Sequence, residues 1–464
     1  MLDPQPLINQ VCSYLERLLS AELVTQGQIA SISLPIREIN LRSLPAIACD
    51  WLFWNHPTSD ETIFGLGSTL QITASGPSRL ETLNQNLQQL QSNWKWLDLE
   101  RTECKPLSYL CFAFNPSDQM RGPWDGLPNS VLFLPELTIQ QQGNSCVAIF
   151  STNLSNNREP EAILQHWREL FTAFINSLSQ QHAPPGCKTS LTRIATSADQ
   201  DHWHQLITKA QESIFSITLE KVVPARHLRV QAERSLDPRQ LMTTLEYLYP
   251  NSMLLASRMG ERTFLSATPE CLVSLQNGHI YCDALAGTIH RSANQQKDHD
   301  LGQTLLSDPK AKHEHQLVVQ DITTSLGAIC SDINYCEKPS LLRLRNLQHL
   351  HTEITGQLKP NITLLDAAAR LHPTAAVNGY PGAEAKCWLR QNESIERGWY
   401  AGAAGWIDYS GNGKLAVLLR CALLDNNHAD LFAGAGITAE SDANAEYVET
   451  ELKFSVMLEA LENA

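Results

Sequence analysis

The sequence has 12 cysteines in 464 residues but no C-x-x-C pair. Neither a zinc ribbon nor a thioredoxin-type redox motif is expected from it. H-E-x-x-H is also missing. The run His313-Glu314-His315 does not replace it, because consecutive helical residues point in different directions. Basic charge is scarce: 35 Lys and Arg stand against 49 Asp and Glu, a formal net charge of −14. That disfavours nucleic acid as a partner, whose phosphates need Lys and Arg, and it disfavours anionic membranes. A small anion remains admissible, since a cationic pocket can sit inside an acidic protein. No apolar run has the length of a membrane span, and Arg420 interrupts the best of them. Asp3 and Pro4 precede any apolar stretch, so no signal peptide is expected. The cysteines then read as free thiols in a reducing cytoplasm, buried as small apolar side chains. Internal repeats and low-complexity tracts are lacking as well.

What is present is a large apolar fraction, 43%, with only 18% charged residues, enough to bury a sizeable core. Residues 1–195 are rich in Gln, Asn, Ser and Leu. They carry strand-like runs at Val131–Pro135 and Val147–Thr152, a helix over Pro160–Leu178 and a loop at Gln181–Thr189. A further helix is predicted from Asp199 to Ile214. Beyond Ser216, strands at Lys221–Val230, Thr263–Ala267, Cys271–Leu275, Leu415–Leu423 and Leu431–Ala433 alternate with helices at Pro309–Leu326 and Ala443–Leu461. Runs of adjacent strands separated by long helices predict an α+β fold of antiparallel sheets covered by helices.

Several charges fall where apolar residues are expected. Leu415–Leu423 reads as a strand buried on both faces, with Arg420 in its middle. A guanidinium there needs an anion, and its fork suits a carboxylate. On the helix that Ser307 or Asp308 caps, Glu314 shares a face with Val318 and Ile322. The last helix, capped by Ser441 or Asp442, places Glu446, Glu449 and Lys453 beside an apolar stripe of Val448, Leu452 and Val456. Alone, Glu449–Lys453 would be a common solvated pair. Just upstream, Gly434 and Gly436 in A-G-A-G-I let backbone N–H groups approach an anion, although the phrase is not G-x-G-x-x-G. Lys221 in K-V-V-P-A-R shares a strand face with Val223 and Ala225, and apolar neighbours can turn a lysine into a base. By themselves Lys221 and Glu270 are weak signals.

Taken in order, nine phrases resemble the chorismate-utilising enzymes: KVVPAR, SATPECLVSL, DALAGT, KHEHQLVV, LQHLHTEITG, LHPTAAVNGYPG, ERGWYAGAAGW, AVLLRCALL and AGAGITAESDANAEYVETELK. The likeness runs from Lys221 to Leu461, with a fainter echo over Trp51–Gly67. It implies a four-layer α-β-β-α sandwich with the active site between two large, mainly antiparallel sheets. The chain would be one large domain, with 1–195 a divergent N-terminal part and 196–464 the chorismate-binding core. The resemblance makes Lys221 the base that activates water and Glu270 the acid that protonates the departing C4 hydroxyl. Glu314 and Glu449 would be ligands of Mg²⁺, with Glu446 acting behind them or through water. Gly287, Thr288, Arg420, Gly434 and Lys453 would hold the substrate carboxylates. His349, Ala376 and Tyr400 would line the pocket.

Within the family, Lys221 favours water over ammonia as nucleophile. Ala286 stands where one type of aminodeoxychorismate synthase carries a nucleophilic lysine. The resemblance therefore implies an isochorismate synthase, with salicylate synthase next and anthranilate synthase component I behind it. It also implies a monomer that needs no glutamine amidotransferase subunit, and a place in quinone synthesis before siderophore or salicylate supply. A chorismate-binding scaffold without activity is the reading from another class, and the intact Lys221, Glu270, Glu314 and Glu449 argue against it. Two departures stand out. Pro224 and Asn378 replace a non-proline and a glycine, and Pro224 implies an edge or bulge beside Lys221.

Overall fold

The computed structural model describes residues 5–19, 29–39, 41, 44, 47, 49–154, 159–178, 188–196, 199–216 and 218–463. Residues 181–187 of the expected loop lie outside these. Two large sheets dominate, one of 12 strands and one of 10. The larger runs from Leu191–Thr196 through Ala225–Ala232, His428–Gly434, Cys421–Asp425, Arg262–Thr268 and Met253–Met259 to Trp51–His56 and the remaining N-terminal strands. The smaller runs from Cys330–Tyr335 through Leu347–Leu358, His279–His290, Cys271–Gln276, Gly413–Val417 and Ala403–Asp408 to Leu107–Phe112, Ser130–Leu134 and Leu70–Ala74. Neighbours are antiparallel, apart from Ile29–Ile36 and Trp94–Leu97, which run parallel.

The layering follows from side-chain alternation along strands. In Trp51–His56, Leu52 and Trp54 join a core shared with Leu110, Phe112 and Val417 of the smaller sheet. Trp51 and Phe53 point the other way, into a second core with Phe171 and Phe174 of helix Pro160–Leu178. Helices Gln5–Leu19, Pro160–Leu178, Pro238–Leu248 and Ala443–Glu462 cover the outer face of the larger sheet. Arg79–Ser92, Gln295–Ser307, Pro309–Gly327 and Leu364–Leu371 cover that of the smaller one. The fold is therefore the expected four-layer α-β-β-α sandwich. Helix starts follow their capping signals: Asp199, Asp308 and Asp442 each accept a backbone N–H of the first turn.

Two expected strands are each broken in two, and both breaks matter. Leu415–Leu423 is not one strand. Gly413–Val417 belongs to the smaller sheet and Cys421–Asp425 to the larger, and the chain crosses between them at residues 418–420. The apolar run continues through the crossing because both sheets are buried there, so hydrophobicity alone cannot locate the break. Lys221–Val230 likewise divides at Val223–Pro224. Lys221–Val222 pairs with Gly379–Tyr380, and Ala225–Ala232 joins the larger sheet. Pro224 sits where no ladder hydrogen bond is required of it.

Smaller expectations also change. Val448 is exposed, and the last helix buries Thr450, Phe454, Met457 and Leu461 instead. Cys336, just after strand Cys330–Tyr335, and Cys387, on helix Gly382–Asn392, are exposed rather than buried. His315, expected to be an ordinary polar neighbour, is buried and shares a 2.8 Å hydrogen bond with Thr352.

Candidate active site

Five irregularities of the backbone converge at one end of the space between the sheets. Two are crossings. Thr268 ends a strand of the larger sheet and Cys271 begins one of the smaller, so Pro269 and Glu270 span the gap. The 418–420 crossing runs alongside. Val417 N–H donates to Glu270 O at 3.0 Å, and Ala267 N–H to Arg420 O at 3.1 Å. Arg420 takes a φ of 47°, a left-handed conformation that costs a non-glycine residue and clusters at functional sites. The third is the break after Lys221–Val222. The fourth is a bulge between Ala286 and Thr288, where Gly287 has a φ of 70°. The fifth is the strand end at Gly434–Gly436. Helices Pro309–Gly327 and Ala443–Glu462 add Glu314, Glu449 and Lys453.

Together they line one cleft. Lys221 Nζ lies 3.0 Å from Glu314 Oε1, with Lys221 only 1% exposed. Lys453 Nζ lies 2.6 Å from Glu449 Oε1 and donates to Gly434 O at 2.7 Å. His349 bridges Thr288 Oγ1, at 3.1 Å from Nδ1, and Arg420, at 3.5 Å from Nε2. A β-carbon on Gly434 would lie 2.8 Å from Pro224 O and 3.0 Å from the Tyr400 hydroxyl; one on Gly436 would collide with Glu314 Oε1.

The electrostatics separate the two candidate proton carriers' surroundings from the rest. Burial pushes the Glu270 carboxyl up to about 8, with Asp283 adding to it and Lys221, Arg420 and Lys453 opposing. Glu270 therefore carries its proton at neutral pH. Burial also opposes ionisation of Glu314, but Lys221, Lys310 and Lys453 outweigh it and hold that carboxyl below its usual value. Burial, with Arg420 and Lys453 nearby, holds His349 neutral. Arg420 loses some proton affinity to burial, yet a guanidinium stays charged in a protein.

The profile of the family described as chorismate binding enzyme matches residues 15–462 of the chain. The chain belongs to the chorismate-binding enzymes. It is 33% identical over 413 residues to the salicylate biosynthesis isochorismate synthase of Pseudomonas aeruginosa, covering 88% of this chain and 84% of that protein. It is 29% identical over 415 residues to the isochorismate synthase MenF of Bacillus subtilis, covering 88% and 87%. Among solved structures, MenF, the menaquinone-specific isochorismate synthase from Escherichia coli, matches with a TM-score of 0.80 at 27% identity, over 98% of this chain and 99% of that one. An anthranilate synthase component I from Streptococcus pneumoniae, 21% identical with a TM-score of 0.69, shares the fold.

In this chorismate-binding enzyme the cleft is lined by Lys221, Glu270, Gly287, Thr288, Glu314, His349, Ala376, Tyr400, Arg420, Gly434, Glu449 and Lys453. These are the residues singled out in the sequence, with one exception. Glu446 lies behind the lining, 5% exposed and paired with Lys310 Nζ at 2.8 Å. Burial and then Glu449 raise its pKa, against Lys310. Among the described residues, no group of three or more His, Cys, Asp or Glu is arranged to hold a metal. The cleft offers two carboxylates from two helices, Glu314 of Pro309–Gly327 and Glu449 of Ala443–Glu462. That donor set fits Mg²⁺, which is commonly held by one or two carboxylates and completes its shell with water and substrate oxygens.

The sequence reading missed the apolar wall of Val223, Leu285, Val377 and Leu419, which is indistinguishable from core in an apolar run. It also missed Arg397, 2% exposed, inside ERGWY. Arg397 donates to Val223 O at 2.6 Å and to Val377 O at 2.9 Å, and pairs with Glu393 at 2.5 Å. Glu393 in turn accepts Ala225 N–H at 2.8 Å. This fork ties both sides of the Lys221 strand break to the opposite wall. Asn378, the second departure from the family pattern, is buried and donates to Gly382 O at 2.8 Å.

Proposed function

We propose that this protein is an isochorismate synthase, interconverting chorismate and isochorismate. The carrying observation is that Lys221 and a protonated Glu270 open onto one cleft that Arg420 and Lys453 make cationic. The relatives and the full-length structural match support the same reading. In this reaction water adds at C2, the ring double bond shifts, and the C4 hydroxyl departs as water. Lys221, once it has given up its own proton, takes the proton from the attacking water, and Glu270 supplies one to the leaving oxygen. Atoms and charge balance: one lysine gains the proton that one glutamic acid loses. Neither group can fill both roles in the same step.

Substrate binding follows from charge. Chorismate is a dianion, so its carboxylates belong near Arg420, Lys453, Thr288 and the N–H groups around Gly287 and Gly434. We place a bound Mg²⁺ on Glu314 and Glu449, where it would neutralise both carboxylates and part of the substrate's charge. Glu446, already held by Lys310, would act behind them. Ala286 in the bulge offers no amine nucleophile, and Lys221 fills the approach an ammonia user would keep open. We therefore expect no glutamine amidotransferase subunit, and take the working form as a monomer. The free thiols among the described residues support a cytoplasmic setting. The match to a menaquinone-specific enzyme supports a role in quinone supply.

The test is chorismate turnover with and without Mg²⁺, with products separated by chromatography. The expected product is isochorismate alone, formed only with the metal. Full turnover in excess chelator would remove the metal assignment. Salicylate with pyruvate would make the protein a salicylate synthase, and anthranilate formed in ammonium would overturn the choice of water as nucleophile. Lys221→Ala should lower kcat about 10²–10⁴-fold, the usual cost of a lost base.

A further inference from the structure

Behind Glu270, away from the substrate, lies a polar cluster that the reaction above does not use. Its centre is Asp283, 8% exposed, on the strand His279–His290 and not among the residues lining the cleft. One oxygen, Oδ2, accepts the backbone N–H of Cys271 at 2.9 Å, the residue directly after Glu270. The other, Oδ1, accepts the Tyr281 hydroxyl at 2.5 Å and meets His351 Nε2 at 2.7 Å. A carboxylate in a half-apolar sheet interior needs partners, and here it has three.

We propose that Asp283 is a positioning residue for Glu270: it pins the link that carries the acid and, through its charge, keeps that acid loaded with its proton. This rests on the reading of Glu270 as the acid of an isochorismate synthase. The backbone bond makes the first half geometric. Among the described residues, Glu270 is otherwise held by Val417 N–H on its carbonyl and by its own N–H to Thr268 Oγ1 at 3.3 Å. The Asp283 bond closes the C-terminal side of the crossing.

The second half is electrostatic. Three cations face Glu270 from three elements: Lys221 from the short strand, Arg420 from the neighbouring crossing and Lys453 from the last helix. All three favour the ionised form, which would be useless as an acid. Burial opposes them, and Asp283 is the largest charge acting with burial. Around Asp283 itself stand Tyr281, His351 and, across the ladder, Glu353. Burial works against a charge on His351, and its bond to Asp283 outweighs it.

The experiment uses the ligand-free full chain and follows the infrared carbonyl band of the Glu270 acid, assigned by its loss in Glu270→Gln. The native midpoint is expected at about 8. Asp283→Asn keeps the side-chain shape and removes the charge, and should lower the midpoint by about one pH unit, an ordinary effect of a nearby charge. Asp283→Glu keeps the charge and should leave the midpoint near the native one. A lowered midpoint with Asp283→Asn and a near-native one with Asp283→Glu are not what a merely loosened site would give. An Asp283→Asn midpoint at or above the native one overturns the proposal. Should that variant fail to fold, Asp283→Ser is read in its place by the same criterion. A native midpoint near 4.5, the ordinary value, would instead strike at Glu270 as the acid. The two failures are therefore distinguishable without any turnover measurement.

Discussion

Glu270 shows how one residue can be well suited to chemistry and poorly suited to stability. It is 3% exposed, and burial is the main reason its carboxyl reaches about 8. Below pH 4.5 the folded and unfolded chains both hold this proton. Between 4.5 and about 8 the unfolded chain releases it and the folded chain keeps it, so folding loses about 1.4 kcal/mol per pH unit across that window. Above 8 the loss is complete and constant. Glu270→Gln cannot ionise in either state. It should match the native protein in urea unfolding at pH 5 and exceed it by a few kcal/mol at pH 8, while turnover falls about 10²–10⁴-fold. Equal stability gaps at both pH values would mean that the folded carboxyl is already ionised. A-T-P-E was legible as a phrase, but nothing local marks this glutamate as buried: a turn after proline is usually exposed. Arg420 was legible for the opposite reason, as a charge inside an apolar run.

At the scale of elements, capping and periodicity found the helices that carry Glu314, Glu449 and Lys453, to within a residue at each end. They failed at the two long strands His279–His290 and Leu347–Leu358. Both are interrupted by what the site needs: Gly287 and Asp283 in one, His349 and Thr352 in the other. Buried polar residues erase the alternation that identifies a strand, so local rules fail where function intrudes. The split of Leu415–Leu423 has the same origin, because Arg420 bends the chain from one sheet into the other. Gly436 tests how tightly these elements close. Its β-carbon would meet Glu314 Oε1 and approach Lys221 Cε to 2.8 Å. The conflict is with two side chains that must be positioned. Gly436→Ala should therefore keep the native circular dichroism and lower kcat/KM about 10²-fold, the cost of a misplacement near 1 Å. Near-native turnover would show that the Lys221–Glu314 pair has slack.

At the scale of the whole molecule, residues 1–195 differ in texture from the rest of the sequence and yet share both sheets with it. Apolar alternation announces a strand but not its partner, and the partners here are some 200 to 300 positions away. Trp51–His56 pairs with Met253–Met259 in the larger sheet, and Leu107–Phe112 with Ala403–Asp408 in the smaller. Each sheet is thus continued by the N-terminal part in mid-sheet. The same part reaches under the cleft: Trp124 stacks on Phe432 at 5.2 Å, and Phe432 on Tyr400 at 5.6 Å. A β-carbon on Gly398 would run into the Trp124 ring. Cutting the chain at residue 195 would bare three strand edges, Ala225–Ala232, Met253–Met259 and Ala403–Asp408, together with the apolar faces beside them. Exposed edges of that kind pair with other chains. Residues 196–464 alone should therefore collect in the insoluble fraction on expression, and co-expression with 1–195 should return soluble material that turns over chorismate. A soluble, monomeric 196–464 fragment with native circular dichroism would show that the catalytic half folds by itself. The N-terminal strands would then be an added layer and not part of one cooperative unit.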